Sequence, residues 1–350
     1  MTVPRKYLGA TVEVKSAHAI EIGPLEAHLR EHVAGFRGKL RLRQFEGGQS
    51  NPTYLVETPE RRYVLRRKPP GVLLPSAHAV DREFRVMAAL FATGFPVPEP
   101  LHYCGDSGPA GSPFYVMAHV EGRIFLDCRM PDLKPHERAA IYDDVNATLA
   151  RLHRLDPAAI GLGDFGRPGN YFARQVERWS KQYLASQTRP IPAMDRLIAW
   201  LPQAVPPLGE TRLIHGDFSF HNLLIHPTEP QVVGVIDWEL STTGDPLGDL
   251  TYHGMEWYRP AGVDERGTLA GADLVALGIP DFDAYAARYF ERVGRPKPDD
   301  LRFHRAFNLF RVAAILQGVA ARARAGNAAA ADAGTMEARV PVLAEAAWRE

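Results

Sequence analysis

The chain has little of what marks a secreted or membrane protein. Its 350 residues include only two cysteines, Cys104 and Cys128, too few for a disulfide framework and without the spacing of a metal site. Both are expected to be small core residues in a reducing compartment. The N-terminal segment has no uninterrupted apolar stretch, and no later segment is apolar enough to span a bilayer. These absences predict a cytoplasmic protein without a membrane partner.

Net charge is absent as well. The 41 Lys and Arg residues balance the 41 Asp and Glu residues, so no field of the whole protein would attract nucleic acid, and no nucleic-acid partner is expected. A chain of this length can bury a substantial core and suits one large or two modest domains. No feature of the sequence specifies an oligomeric state.

The most informative segment, residues 211–250, concentrates acidic and amide side chains. Asp217 precedes Asn222 by five positions in a polar loop, and Asp237 follows the β-branched run 232–236, which predicts a buried strand. Carboxylate and amide oxygens are the ligands that Mg²⁺ prefers, so Asn222 and Asp237 are the predicted metal ligands. Asp217 is the predicted catalytic residue, which accepts the proton or hydrogen bond of a substrate hydroxyl. His215 is expected to hold the loop in shape.

This segment resembles a known family. The pattern H-G-D-x-x-x-x-N at 215–222, followed by I-D-W-E at 236–239, is similar to the catalytic and metal-binding segments of the aminoglycoside phosphotransferase and choline kinase group, which itself resembles protein kinases. More narrowly, residues 47–51, 63–71 and 237–241 resemble the phosphotransferase domain associated with acyl-CoA dehydrogenase proteins.

The resemblance implies an α+β, two-lobed protein kinase-like fold with a small antiparallel-sheet N-lobe and a larger helical C-lobe. Residues 1–120 would bind the nucleotide, and residues 121–350 would carry catalysis and substrate binding. The implied activity is transfer of the γ-phosphoryl group of ATP, with Mg²⁺, to the hydroxyl of a small molecule.

Several residues of the predicted N-lobe are assigned to the nucleotide. Paired glycines between two strands can present N–H groups to phosphates, although alone they more often mark a hairpin turn. Arg66 stands where protein kinases have a Lys, with Lys68 on the same strand face as the alternative and Glu83 as the ion-pair partner. The segment 117–120 would contact adenine. The predicted cofactor-binding residues are Gly47, Gly48, Ser50, Asn51, Arg66, Lys68, Glu83, Ala118 and Val120.

Four neighbouring residues receive supporting roles. Asp245 precedes a proline and predicts a turn, whereas Asp249 resembles a position that braces the catalytic loop by hydrogen bonds. Glu239 could approach a second metal or the substrate, or else form a salt bridge. Trp238 is expected to anchor the metal-binding loop by packing.

Two function classes fit the sequence. The first is the small-molecule kinase; the alternative is a pseudokinase or nucleotide-binding regulatory module, for which the missing Lys is the hint. The resemblance implies a hydroxyacyl-CoA acceptor, with an aminoglycoside or a choline-like alcohol as alternatives. Aromatic residues that could line a pocket or belong to the core are Trp257, Tyr258, Tyr285 and Tyr289. Basic residues that could bind CoA phosphates or lie on solvated faces are Arg174, Arg178, Arg305 and Arg311.

Hydrophobic periodicity and turn residues predict the secondary structure. Strands are expected at 40–45, 53–57, 63–67, 99–104 and 113–120, and helices at 24–34, 81–91, 135–155, 171–183, 195–200, 282–293 and 301–324. The helix at 81–91 is expected to bury Phe84, Met87, Ala88 and Phe91. The Ala-rich stretch 325–334 is expected to be loosely ordered.

Overall fold

The computed structural model describes residues 9–46, 51–69, 79–264, 266–324 and 333–350. Its residues group into two compact units that interleave along the chain. The first unit comprises Met1–Phe125, Ile160–Leu162 and Phe220–Ser241, and the second comprises Leu126–Ala159, Gly163–Ser219 and Thr242–Glu350. The assignment of nucleotide binding to residues 1–120 and of substrate binding to residues 121–350 stays a prediction.

The first unit is built on a six-stranded antiparallel sheet. Its strands are β1 (Thr11–Val12), β2 (Arg41–Phe45), β3 (Thr53–Glu57), β4 (Arg62–Arg67), β5 (Pro100–Cys104) and β6 (Phe114–Ala118). They are ordered β1-β2-β3-β4-β6-β5, so the predicted meander of β2, β3 and β4 is confirmed. Apolar side chains of β3, β4 and β6 pack with Leu25 and Leu29 of helix α1 (Ile22–His32).

Helix α2 (Val80–Phe91) has a different buried face from the one predicted. It buries Val80, Glu83, Val86, Met87 and Leu90, while Phe91 is 44% exposed. Met87 is buried as predicted, whereas the prediction was wrong for Phe91 because it counted only apolar side chains. The charged Glu83 lies in the centre of the buried stripe, which rotates the stripe away from Phe91.

Two short strands from later in the chain complete the first unit. Strands β8 (Leu223–Ile225) and β9 (Val232–Val235) form an antiparallel hairpin. The Val235 N–H donates to the Pro96 carbonyl at 2.8 Å, and Arg123 and Ile225 exchange two backbone hydrogen bonds. The hairpin is therefore hydrogen-bonded to the loop after α2 and to the segment after β6.

The second unit is mainly helical. Its helices are α3 (Pro135–Arg154), α4 (Tyr171–Ser186), α5 (Pro192–Ala204), α6 (Leu247–Tyr258), α7 (Leu274–Leu277), α8 (Phe282–Val293), α9 (Arg302–Arg324) and α10 (Ala333–Arg349), and β7 (Arg212–Ile214) pairs with β10 (Thr242–Gly244). The helices predicted for α3, α4, α5, α8 and α9 are found within a few residues. No helix in the described ranges has both the length and the apolarity needed to cross a membrane.

Helix α8 has its predicted bounds, and local signals mark both of its ends. The Asp281 side chain accepts a hydrogen bond from the Ala284 N–H at 2.7 Å, and Gly294 ends the helix with φ of +71°. Within the second unit, Trp257, Tyr285 and Tyr289 are buried. These three aromatic residues therefore belong to the core.

Candidate functional site

A single guanidinium in the first unit is shared among three carboxylates. Arg66, on β4, has its Nε 3.0 Å from Oε2 of Glu83, on α2. Its Nη2 donates to Oδ1 of Asp237 at 2.7 Å and to Oε2 of Glu239 at 3.1 Å. Burial alone would lower the pKa of Arg66, but the carboxylates of Glu83 and Asp237 raise it above its usual value. The guanidinium is therefore held in its charged form.

Glu83 lies at the buried end of this cluster, and its side chain is 1% exposed. Asn51 donates to its Oε1 at 2.9 Å, and the Tyr115 hydroxyl donates to its Oε2 at 3.1 Å. Burial raises the pKa of Glu83; Arg66 opposes the shift and Asp237 adds to it. A buried carboxylate is retained only where such partners satisfy it. Asn51 thus supports Glu83, and through it Arg66, from inside the sheet.

The two predicted metal ligands flank the β8–β9 hairpin. Asn222 immediately precedes β8, and Asp237 follows β9 by two positions. The Ile236 N–H donates to the Asn222 carbonyl at 3.0 Å, which keeps the two positions side by side. Both residues line the same cavity as Arg66. A carboxylate and an amide oxygen next to a surplus of negative charge suit a hard divalent cation.

Asp237 has a left-handed backbone, with φ of 66° and ψ of 59°. Among non-glycine residues this conformation is uncommon and is best tolerated by Asp and Asn. The next residue, Trp238, is buried, donates from its indole N–H to the Val235 carbonyl at 3.0 Å and packs edge-on against Phe95. These contacts hold the strained turn and agree with the anchoring role expected of Trp238.

The cavity has a volume of about 870 Å³, within the range of small-molecule sites. Its apolar walls include Val64, Met117, Leu224 and Ile236, and its polar end includes Arg66, His221, Asn222 and Asp237. Both predicted adenine contacts, Ala118 and Val120, line it. The Ala118 N–H donates to the Glu99 carbonyl at 2.9 Å, so this N–H is engaged within the first unit.

The other predicted cofactor residues differ in where they lie. Lys68 directly follows β4, and its backbone N–H donates to the Pro113 carbonyl at 2.9 Å. It is not among the described residues that line the cavity, whereas Arg66 is. Gly47, Gly48 and Ser50 lie outside the described residues.

Asp217 belongs to the second unit, on a loop fixed by buried hydrogen bonds. The backbone N–H groups of His215 and Gly216 donate to the carboxylate of Asp249, on α6, at 2.6 and 2.8 Å. The Asp217 N–H in turn donates to Nδ1 of His215 at 3.2 Å. His215 and Asp249 therefore both shape the loop that carries Asp217. Asp245 accepts from the Leu247 N–H at 2.9 Å, which agrees with its expected turn role.

Three further residues support this loop, and sequence reasoning missed their roles. His153, on α3, has its Nε2 3.3 Å from Oδ2 of Asp249. Arg311, on α9, donates to the Gly216 carbonyl at 2.7 Å. The Tyr252 hydroxyl hydrogen-bonds the Asp217 carboxylate, and burial together with that carboxylate raises the pKa of Tyr252. Each comes from a distant helix, so no local motif could have identified it.

The four basic residues considered for CoA binding have different surroundings. Arg311 is buried and supports the loop that carries Asp217. Arg305 lies 3.1 Å from the Glu350 carboxylate, and Arg174 donates to the Pro168 carbonyl at 2.8 Å. Arg178 is exposed on α4, with its guanidinium 5.1 Å from the ring centre of Trp179, while Arg311 lies 5.7 Å from the same ring. Desolvation and the charge of Arg311 lower the pKa of Arg178. Arg178 therefore marks a locally electropositive part of the second unit.

Comparisons with known proteins agree with this chemistry. Residues 41–290 match the sequence pattern described as the phosphotransferase enzyme family. A Mus musculus protein named acyl-CoA dehydrogenase family member 10 is 44% identical over 339 residues, covering 97% of this chain and 32% of that protein. The chain thus spans about a third of the length of this relative.

Solved structures are also similar. A candidate aminoglycoside phosphotransferase from Ralstonia eutropha has a TM-score of 0.86 and 47% identity, covering 95% of this chain and 98% of that one. Spectinomycin phosphotransferase, solved with ADP and spectinomycin, has a TM-score of 0.61 and 12% identity over 94% of this chain and 98% of its own. These similarities confirm the predicted kinase-like, two-lobed fold and the resemblance to aminoglycoside phosphotransferases and to the acyl-CoA dehydrogenase-associated domain.

Proposed function

We propose that this chain, which belongs to the phosphotransferase enzyme family, is an ATP- and Mg²⁺-dependent kinase that transfers a phosphoryl group to the hydroxyl of a hydroxyacyl-CoA. The observation that carries the proposal is the cluster of Arg66 with Glu83, Asp237 and Glu239. Three carboxylates around one guanidinium leave an excess of negative charge beside the cavity. A bound divalent cation would balance that charge and neutralise the phosphates of the nucleotide.

In this proposal the cavity of the first unit binds ATP. The apolar walls suit the adenine ring, and the segment at Ala118 and Val120 offers backbone groups to its edge. Arg66, charged and fixed by Glu83, would contact the phosphates as a permanent cation. Asn222 and Asp237 would hold Mg²⁺ through their oxygens.

Asp217 would then orient the acceptor. During transfer, a bond forms between the substrate oxygen and the γ-phosphorus, and the bond from that phosphorus to the β–γ bridging oxygen breaks, which releases ADP. The hydroxyl proton passes to the carboxylate of Asp217. The bonds from Asp249 to His215 and Gly216 would keep Asp217 in position during this step.

Two observations support an acyl-CoA acceptor. The first is the exposed cation Arg178, in the same unit as Asp217, in a locally electropositive surface beside Arg311. CoA carries several phosphate charges, which suit such an exposed cation. The second is that the matching part of the Mus musculus relative belongs to a protein named for acyl-CoA chemistry.

Steady-state kinetics would test the proposal. ATP and Mg²⁺ are supplied with a 4-hydroxyacyl-CoA, the free 4-hydroxy acid, choline or an aminoglycoside, and phosphate transfer is measured. We expect the highest kcat/KM for the 4-hydroxyacyl-CoA, with an advantage that shrinks as salt screens the basic surface. Equal or better turnover of the aminoglycoside would contradict the hydroxyacyl-CoA acceptor but would agree with the kinase activity. ATP binding without transfer to any acceptor would favour the pseudokinase alternative.

A matched pair of variants would locate CoA binding. Arg178→Gln should raise KM for the CoA thioester by about 3–10-fold, the loss of one screened charge contact, without changing KM for the free acid. Lys181→Gln is the control. Lys181 is also exposed on helix α4, but its ammonium group is already paired with the Glu177 carboxylate at 2.6 Å. An equal effect of both variants would remove Arg178 from the CoA site.

A further inference from the structure

A second group of metal-ligating side chains lies in the first unit, apart from the cavity. His28 is on α1, and His102 and Cys104 are two positions apart on β5, so the latter two share one face of the strand. Nε2 of His28 lies 2.9 Å from Nε2 of His102. One ligand atom from each of the three residues lies within 4.8 Å of the others. None of the three lines the nucleotide cavity.

The contact between the two imidazoles has a specific chemical meaning. Two ring nitrogens can hydrogen-bond only if one carries the proton and the other offers its lone pair. The ring that accepts this hydrogen bond is therefore neutral, the form in which imidazole binds metals. His32 lies beside both rings, with its ring centre 4.2 Å from that of His28 and 5.0 Å from that of His102.

We propose that His28, His102 and Cys104 form a zinc-binding site that connects α1 to the edge strand β5. Two imidazole nitrogens and one thiolate are a donor set of borderline softness, which suits Zn²⁺ and disfavours Mg²⁺ and Ca²⁺. Three protein ligands leave one tetrahedral position for solvent. The site is therefore chemically distinct from the carboxylates and amide near Arg66.

The separation of the two ring nitrogens fits zinc after a small adjustment, and the Cys104 sulfur lies within 4.8 Å of a ring nitrogen of each histidine. Zn–N bonds of about 2.0–2.1 Å and a Zn–S bond of about 2.3 Å place tetrahedral ligands roughly 3.3 Å apart for two nitrogens and roughly 3.6 Å apart for nitrogen and sulfur. The observed nitrogen separation is 2.9 Å, so the rings need to part by a few tenths of an ångström. Cys104 is buried and its thiol lies 3.6 Å from the Asp106 carbonyl, which faces it towards a polar neighbour.

Metal binding has a defined proton balance. The imidazole that donates through Nε2 moves its proton to Nδ1, so that both Nε2 atoms offer lone pairs to the metal. The Cys104 thiol loses its proton and forms the Zn–S bond. Binding of each Zn²⁺ therefore releases one proton to solvent.

The sequence alone gave no sign of this site. His28 precedes His102 and Cys104 by more than seventy positions, so no short spacing relates all three ligands. Helix α1 contributes His28 because its buried face also carries Leu25 and Leu29. The fold brings this helix against the edge of the sheet.

Titration of the full chain, stripped of metal with a chelator, tests the proposal. Co²⁺ serves as the spectroscopic probe, because a cysteine thiolate gives an ultraviolet charge-transfer band and tetrahedral geometry gives strong visible bands. We expect one equivalent of Co²⁺ to produce both, displacement by Zn²⁺, and release of about one proton per Zn²⁺ in calorimetry. Zn²⁺ at about 100 times Kd should also raise Tm by at least about 2 °C.

Variants identify the ligands. His102→Gln should weaken Zn²⁺ binding at least about 10-fold and remove the Tm shift, and because His102 is only partly buried this variant should fold. Cys104→Ser should remove the charge-transfer band. His136→Gln, at an exposed position, and Cys128→Ala, at the other cysteine, should leave binding unchanged. Binding weaker than about 100 µM in the wild type, or a band that survives Cys104→Ser, would overturn the proposal.

Discussion

The backbone nitrogen of His215 lies 2.6 Å from Oδ2 of Asp249, and this hydrogen bond joins the loop of Asp217 to the first turn of α6. The second carboxylate oxygen accepts from Gly216. Burial would raise the pKa of Asp249, but the hydrogen bond from His153 and the bond from the His215 backbone lower it below its usual value. Asp249 is therefore ionised and accepts all of these hydrogen bonds at once.

Substitution of Asp249 should disturb catalysis more than its distance from any substrate suggests. Asp249→Asn places an N–H₂ group against a backbone N–H, so one bond is lost and a buried donor is unsatisfied. We expect a loss of about 1–3 kcal/mol in stability and roughly a 10–100-fold fall in kcat. Asp245→Asn is the control, since an Asn oxygen can still accept from Leu247. Comparable losses in both variants would contradict the bracing role.

Asp217 is expected to act in transfer and not in nucleotide binding. Asp217→Asn should lower kcat by roughly 10²–10⁴-fold, the range of a lost general base. Its nucleotide affinity, measured by calorimetry with a non-hydrolysable ATP analogue, should stay within about 2-fold of the wild type. Unchanged turnover in this variant would show that Asp217 does not act in catalysis.

Asp237 is expected to control the metal requirement. Asn tolerates the left-handed backbone that Asp237 adopts, so Asp237→Asn removes the charge without adding backbone strain. The Mg²⁺ concentration for half-maximal activity should rise at least about 10-fold. Trp238→Phe should have a smaller effect, because it removes one indole hydrogen bond and part of the packing. A normal Mg²⁺ dependence of Asp237→Asn would refute the ligand assignment.

Acid sensitivity should follow from two buried histidines of the second unit. Burial lowers the pKa of His253 to about 3 and that of His304 to about 4. Below the unfolded pKa of about 6.5 the unfolded chain binds protons that the folded chain does not, so stability falls as pH falls from 6.5 towards these values. At pH 5 each histidine should cost about 2 kcal/mol relative to pH 7.5.

Urea denaturation at pH 7.5 and pH 5 measures this effect. His253 packs among the rings of Phe218, Trp257 and Tyr285, so His253→Phe keeps an aromatic ring there. The variant should lose less stability than the wild type on acidification, while exposed His136→Phe should behave as the wild type. An unchanged pH dependence in His253→Phe would show that His253 does not carry it.

Two glycines in long helices should respond oppositely to alanine. A Cβ at Gly254, in α6, would lie 2.4 Å from a ring carbon of Phe282, whereas one at Gly318, in α9, would meet only the end of the Arg322 side chain at 3.6 Å. Gly254→Ala should destabilise the protein by about 1–3 kcal/mol through overpacking. Gly318→Ala should stabilise it by about 0.5–1 kcal/mol through helix propensity. Thermal unfolding of the two variants distinguishes these effects by sign.

Local patterns predicted part of this structure well. Strand β3 and helix α8 were predicted at their observed bounds, because turn residues and caps mark both ends of each. Helix α6 was missed because residues 244–249 are typical of a turn, whereas the helix begins at Leu247, within that stretch. Helix α10 was missed because its sequence is rich in Ala and contains Pro341. It begins at Ala333, at the end of the stretch expected to be loosely ordered, and residues 325–332 of that stretch lie outside the described residues.

The candidate site shows the same limit. Asp217, Asn222 and Asp237 stand in one continuous motif, so their residue types and spacing indicated phosphoryl transfer. The residues that support the site are not part of this motif. Asn51 and Tyr115 both contact Glu83, which only the folded sheet brings between them, and Arg311 contacts Gly216 from a helix 95 positions later. Contacts at such separations depend on tertiary packing, which periodicity and propensity do not encode.

The interleaving of the two units sets an order for synthesis on the ribosome. The first unit includes Phe220–Ser241. The ribosome reaches Ser241, the end of this segment, 116 residues after it has made Phe125. At about 5–20 residues per second, roughly 6–23 s pass between these points. During that time the nascent sheet lacks the β8–β9 hairpin, and Arg66 and Glu83 are without Asp237. The cavity beside Arg66 therefore cannot be completed until the ribosome has also produced most of the first half of the second unit.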